Sequence, residues 1–183
     1  MKKKKTILTC GVIILVFLCI SLILNSTKEN YPLNWLVENS DYAVVAQRNI
    51  LRCENTGNSY AMNAYNGKKP YKKEGKVYTE MYVLCPSEEY FGEKITVVTD
   101  GYYFKEEDYC FLFLNCIDKN SLLYTPVNDK TGIIKVKSRK LRPMDTSLNK
   151  DLKNNFSDAI NFYNWFEDII KQKLEKEYSD KTE

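Results

Sequence analysis

Histidine is absent from the 183 residues, whereas cysteine occurs six times. Without an imidazole there is no Ser-His-Asp or Cys-His pair, no His-containing zinc site, and no group that ordinarily changes charge near neutral pH. Cys10 and Cys19 lie in an apolar N-terminal run, where cysteine behaves as a small apolar residue. Cys53, Cys85, Cys110 and Cys116 follow without a Cys-x-x-Cys or Cys-x-Cys spacing, which argues against thiol-oxidoreductase and zinc-ribbon chemistry. Glu88-Glu89 and Glu106-Glu107-Asp108 have the residue types for paired-carboxylate glycoside hydrolysis. They fall in predicted turns rather than along a cleft, so they read as solvated surface. No Gly-rich phosphate loop or EF-hand spacing is present, and no cofactor or metal is implied.

What remains is a recognition chemistry. Tyr60, Tyr65, Lys68, Lys69 and Tyr71 belong to a stretch, Glu54 to Gly75, rich in Tyr, Asn, Gly and Lys that reads as a long loop. An aromatic, basic loop suits contact with a glycan, a wall polymer or a protein. The alternative is a solvated loop with no ligand.

Those residues are carried by a chain whose N-terminus reports its location. Lys2 to Lys5 precede an 18-residue run, Ile7 to Leu24, without a charge. As a helix that run spans ~27 Å, close to a hydrocarbon core. It exceeds a usual secretory h-region and offers no Ala-x-Ala site, so an uncleaved signal anchor is expected. Cleavage near Ser26 and lipidation at Cys19 are the alternatives. Lysines before the helix place residues 1–6 in the cytoplasm, and the rest beyond the membrane after a polar tether, 25–32.

Pro32 to Asn39 can form a brief helix with Leu33, Leu36 and Val37 on one side. Strands are expected at Tyr42–Arg52, Lys76–Leu84, Lys94–Thr99, Tyr109–Leu114, Leu122–Thr125 and Gly132–Lys137. Short strands at this spacing, with no helix long enough for a crossover, predict a mainly β chain built on a small antiparallel barrel over 33–140. From Ser147 to Tyr178 the spacing of Leu148, Leu152, Phe156, Ile160, Tyr163, Phe166, Ile170 and Leu174 predicts one long amphipathic helix, within a C-terminal segment 145–178. It serves either as a brace on the barrel or as a second contact surface.

Four segments taken in order, Ser40-Asp-Tyr-Ala-Val-Val-Ala46, Tyr78-x-x-x-Tyr-Val-Leu84, Gly92-x-Lys-Ile-Thr-Val97 and Phe104-Lys-Glu-Glu-Asp-Tyr-Cys-Phe-Leu-Phe-Leu114, resemble a set of bacterial exported proteins. Their OB-fold domain is similar to the tissue inhibitors of metalloproteinases and the netrin-like modules. The resemblance covers roughly residues 33–137 and implies an OB-like β-barrel. It also raises inhibition or regulation of an envelope hydrolase or protease as an alternative function. Cys85-Pro86 stands where the pattern has Lys-Gly, and Glu106-Glu107 where it has Gly. The inhibitors act through a free N-terminal Cys that chelates the protease zinc, whereas here the domain follows a membrane helix and begins with no Cys. That mechanism does not transfer. In an OB barrel the first and fourth strands are antiparallel neighbours, so the resemblance implies a Cys53–Cys110 disulfide. Four cysteines allow three connectivities, and all four reduced is the other reading. Cys110 and Cys116 would stand ~20 Å apart on one extended strand.

The formal net charge is +3. With Lys2 to Lys5 set aside, 23 basic side chains face 24 acidic ones, a net of −1, so the exported part has no composition-based affinity for nucleic acid. The function expected from the sequence is a non-enzymatic binding module, anchored in the cell membrane with its C-terminal domain outside, and with an envelope protein or glycan as partner. A carboxylate-based envelope enzyme is the weakest reading.

Overall fold

The computed structural model describes residues 32–55, 60–85 and 92–179, which are mainly β, with a mixed sheet and a few helices. Helix α1 spans Leu33–Glu38. The strands are β1 Tyr42–Gln47, β2 Asn49–Asn55, β3 Tyr60–Asn66, β4 Tyr71–Lys73, β5 Lys76–Cys85, β6 Lys94–Thr99, β7 Tyr109–Asp118, β8 Leu123–Pro126, β9 Ile133–Lys137 and β10 Lys140–Pro143. A 3-10 turn at Thr146–Leu148 leads into α2, Asn149–Asn155, and α3, Ala159–Ser179.

The hydrogen-bonded path runs β1-β5-β6-β8-β7, and because β1 also pairs with β7 it returns to its first strand. A register shift between Val45 and Ala46 accompanies this double pairing; such irregularities bend a strand and turn its edge toward a new neighbour. Within the path only β6–β8 is parallel, which corrects the expected all-antiparallel arrangement. Strand β4 adds to β5, β9 and β10 follow β7, and β2–β3 form a separate two-stranded sheet.

Side-chain alternation explains the layering. Val77, Met81 and Val83 of β5 are buried, while Tyr78, Glu80 and Tyr82 between them are only partly so. In β7 both faces are apolar. Cys110, Leu112 and Leu114 join Val44, Ala46, Met81, Val83, Ile95 and Val97 in one core. Phe111 and Phe113 point the other way and pack with Phe162, Phe166 and Ile170 of α3 and with Leu36 and Val37 of α1 in a second. The continuous apolar run of β7 is thus required on both sides. Lys173 of α3 donates to the carbonyl oxygens of Val37, in the last turn of α1, and of Ser40 just beyond it, and the Ser40 hydroxyl shares the Val37 carbonyl at 3.1 Å.

Three expectations change. The strand expected over Tyr42–Arg52 is broken at Arg48, and its second half pairs with β3. The stretch expected as a loop, Glu54–Gly75, holds the end of β2 and strands β3 and β4. A tight turn with Glu74 at φ 51° and Gly75 at φ 83° joins β4 to β5; two successive positive φ values suit a twisted hairpin. The single helix expected from Ser147 to Tyr178 is interrupted at Phe156, which is extended at φ −134° and ψ 129°. Asp158 then caps α3 by accepting hydrogen bonds from the amides of Ile160 and Asn161, both at 3.0 Å. Among the described residues no helix is long and apolar enough to cross a membrane; the run 7–24, with Cys10 and Cys19, lies outside them.

Candidate functional site

Of the sequence-predicted contact residues, Tyr65, Lys68 and Tyr71 dock on the outer face of β5. Alternation puts Tyr78, Glu80 and Tyr82 on that face. Tyr71 stands directly opposite Tyr78 across the β4–β5 pair, and the rings stack with centroids 5.0 Å apart and planes 5° apart. Tyr65 meets Tyr82 edge to face at 6.0 Å. The face therefore carries two tyrosine pairs, ~13 Å apart along the strand.

Glu80 lies between them. It accepts the backbone N–H of Lys68 at 3.1 Å, and its Oε1 stands 3.6 Å from Lys68 Nζ and 3.5 Å from Lys94 Nζ. Burial would raise its pKa, but the Lys68 amide and the two ammonium groups outweigh that and hold the carboxyl below its usual range. Lys69, Lys72 and Lys73 are exposed. Gly67 closes the base of the β2–β3 hairpin, its amide donating to the Arg48 carbonyl at 2.9 Å, and the chain there passes close against β5. A Cβ at Gly67 would lie 2.8 Å from the Glu80 carbonyl oxygen and 2.9 Å from that of Arg48, so the chain passes there only without a side chain.

Of the residues expected at the site, Tyr65, Lys68 and Tyr71 come together on β5, and Lys69 is exposed. Tyr60 opens β3, and its side chain lies outside the described residues. Sequence reasoning missed Tyr78, Glu80, Tyr82 and Lys94. The period-2 pattern Tyr78-x-Glu80-x-Tyr82 was the available signal, since it sets the three on one face.

The two cysteines whose side chains are described, Cys110 and Cys116, do not build a site. Cys110 is a free, fully buried thiol whose pKa burial pushes up, and Cys116 is free and exposed. Cys110 stands opposite Ala46, seven residues before Cys53, because the break at Arg48 sends Cys53 into the β2–β3 sheet. The expected Cys53–Cys110 bridge rested on one unbroken first strand, which the fold replaces. The side chains of Cys53 and Cys85 lie outside the described residues.

The acidic turn Glu106-Glu107-Asp108 differs in part from its expected surface role. Asp108 is largely buried and receives Lys135 Nζ at 2.6 Å, the Lys105 amide at 2.9 Å and the Tyr102 hydroxyl at 3.2 Å. Burial pushes Tyr102 up to about 12. Burial would lower Lys135, yet its bonds to Asp108 and Tyr102 win and raise it. Glu106 lies 3.4 Å from Arg48. This cluster is closed on itself: every partner of Asp108 here is a neighbour in the fold, as befits a turn lock rather than a catalytic pair. Glu88 and Glu89 lie outside the described residues. Among the described residues no three His, Cys, Asp or Glu side chains gather to hold a metal ion.

Comparison with protein-family models, curated proteins and solved structures finds no match.

Proposed function

We propose that this chain is a membrane-anchored, extracytoplasmic interaction module of the cell envelope, non-enzymatic, whose contact surface is the tyrosine and lysine face of β3, β4 and β5. The observation that carries this reading is the double tyrosine arrangement around Glu80. Tyrosine gives a large, rigid contact area at little entropic cost, with a hydroxyl that tolerates water, and flanking lysines add donors for a glycan or an acidic protein segment. The return of the strand path to β1, with one parallel pair, supports an OB-like β-barrel as the scaffold. Lys2 to Lys5 before the apolar run 7–24 support the anchor and its orientation.

The test is binding of the full chain, solubilised from membranes, to envelope fractions divided into protein and glycan. Tyr71→Ala combined with Tyr78→Ala is expected to weaken binding at least tenfold with little change in melting temperature. Unchanged binding in the double variant would remove this face as the contact surface. Hydrolysis of an envelope substrate by the purified chain alone would contradict the non-enzymatic reading.

A further inference from the structure

The near-neutral exported part hides a local excess of charge. The β9–β10 register sets Lys137 opposite Lys140 and Lys135 opposite Arg142, with Ser138 and Arg139 forming the turn. Like charges facing across a strand pair repel. Lys135 is matched by Asp108, but among the described residues no acid pairs with Lys137, Arg139, Lys140 or Arg142. The turn holds Ser138 at φ 51° and Arg139 at φ 62°, values that favour Asn and Gly. Turn geometry therefore does not account for an arginine there.

Beside this hairpin, between β7, β9 and the start of α3, is a cavity of about 260 Å³. Tyr109, Phe111, Val136 and Tyr163 line it, with the exposed Arg139 and Ile160 at its edge. The Ala159 amide donates to the Arg139 carbonyl at 3.0 Å, which ties the cationic turn to the helix that forms the opposite wall. Ile160, 54% exposed, carries the aliphatic lining out to the surface.

We propose that this cavity binds a single-chain aliphatic carboxylate, a fatty acid, with its chain among the aromatic walls and its head on Arg139 within the field of Lys137 and Lys140. The walls are mainly carbon, the rings of Tyr109, Phe111 and Tyr163 with Val136, so a sugar or a nucleotide would find too few partners for its many polar groups and would lose hydrogen bonds on entry. The volume falls below that of ordinary drug-sized pockets and suits one chain rather than a two-chain lipid. One guanidinium fork matches one carboxylate. The site is separate from the β3–β4–β5 face and does not depend on the binding function proposed for it.

The experiment uses the full chain in phosphatidylcholine nanodiscs with a dodecanoate carrying a diazirine in its chain, photolysed and mapped by peptide mass spectrometry. Label is expected on peptides containing Tyr109–Phe111 or Tyr163. The corresponding alcohol should label about tenfold less at equal subsaturating concentration, as loss of one charge-assisted bond implies. Arg139→Asn, which keeps a residue suited to the positive φ, should lower labelling by a similar factor, and Ile160→Glu should also lower it. Each methylene removed from the probe should weaken binding about fourfold. Inorganic phosphate should not compete. Label confined to 7–24, equal labelling by acid and alcohol, an unaffected Arg139→Asn, or displacement by inorganic phosphate would each overturn the proposal.

Discussion

The two aromatic faces of the molecule are built from different rings. Against α3, the rings of Phe111, Phe113, Phe162 and Phe166 are each 1% exposed or less, and Phe111 meets Phe162 and Phe166 edge to face at 4.7 and 5.1 Å. On β5 the rings are Tyr65, Tyr71, Tyr78 and Tyr82, and Tyr71 is 56% exposed. A phenyl ring gains only by leaving water, so the phenylalanine face needs its helix. A phenol can leave its hydroxyl in water and its ring half-covered, so the tyrosine face persists without a lid. The first face holds the fold together, and the second presents surface.

The comparison breaks most readily where the helix is sealed. Phe166→Ala removes a fully buried ring shared by α3 and β7, and should cost about 3–5 kcal/mol in urea denaturation of the full chain. A loss no greater than that of Tyr71→Ala would erase the distinction between the faces. Gly67→Ala comes next, at about 1–3 kcal/mol, because the new methyl meets two backbone carbonyls that cannot swing aside. It should also weaken partner binding, since it lifts the hairpin that carries Tyr65; a stability loss without any binding loss would detach that hairpin from the contact surface.

Alkali separates the closed cluster around Asp108 from both faces. Tyr102 titrates at about 12 in the fold against an ordinary value of 10.0, and Lys135 is also raised. The folded state therefore holds protons that the unfolded chain releases: the share owed to Tyr102 and Lys135 is level below pH 10 and falls as pH rises from 10 to 12, on top of an earlier loss that starts near the ordinary thiol value of 9.0 because burial also raises Cys110. Tyr102→Phe should flatten part of that fall. A stability that rose across this window would contradict the burial assigned to Tyr102. The smallest stability effect is Tyr71→Ala, at about 1 kcal/mol or less, because only one stacked, exposed ring is lost.

The parts of this fold that sequence reveals are those where one periodicity dominates. Lys94–Thr99 is recovered residue for residue and β5 to within one residue, because buried and outward positions alternate in Val77, Met81 and Val83 against Tyr78, Glu80 and Tyr82. The hairpin β2–β3 is hidden because Tyr60-Ala-Met-Asn-Ala-Tyr-Asn-Gly mixes strand-favouring tyrosines with turn-favouring Asn and Gly. Its pairing comes from docking on β5, which no local pattern encodes. The break before α3 was visible in Ser157-Asp158, a capping pair, but the apolar stripe continues through Phe156 and masks it. At the site, the sequence indicated the composition of the surface and not its scaffold: Tyr71 and Lys68 were apparent, whereas Tyr78 and Glu80 looked like ordinary strand residues.

The most direct test of the central claim is position-resolved photocrosslinking of the full chain in intact cells, with a benzophenone side chain placed in turn at Tyr71, Tyr78, Tyr103 and Ile117. Tyr103 and Ile117 are 50% and 52% exposed and lie outside the β3–β4–β5 face, so they control for simple accessibility. Adducts at positions 71 and 78, with none at 103 and 117, are the predicted result. Equal adducts at all four positions, or adducts only at 103 and 117, would contradict the assignment of the tyrosine face as the contact surface.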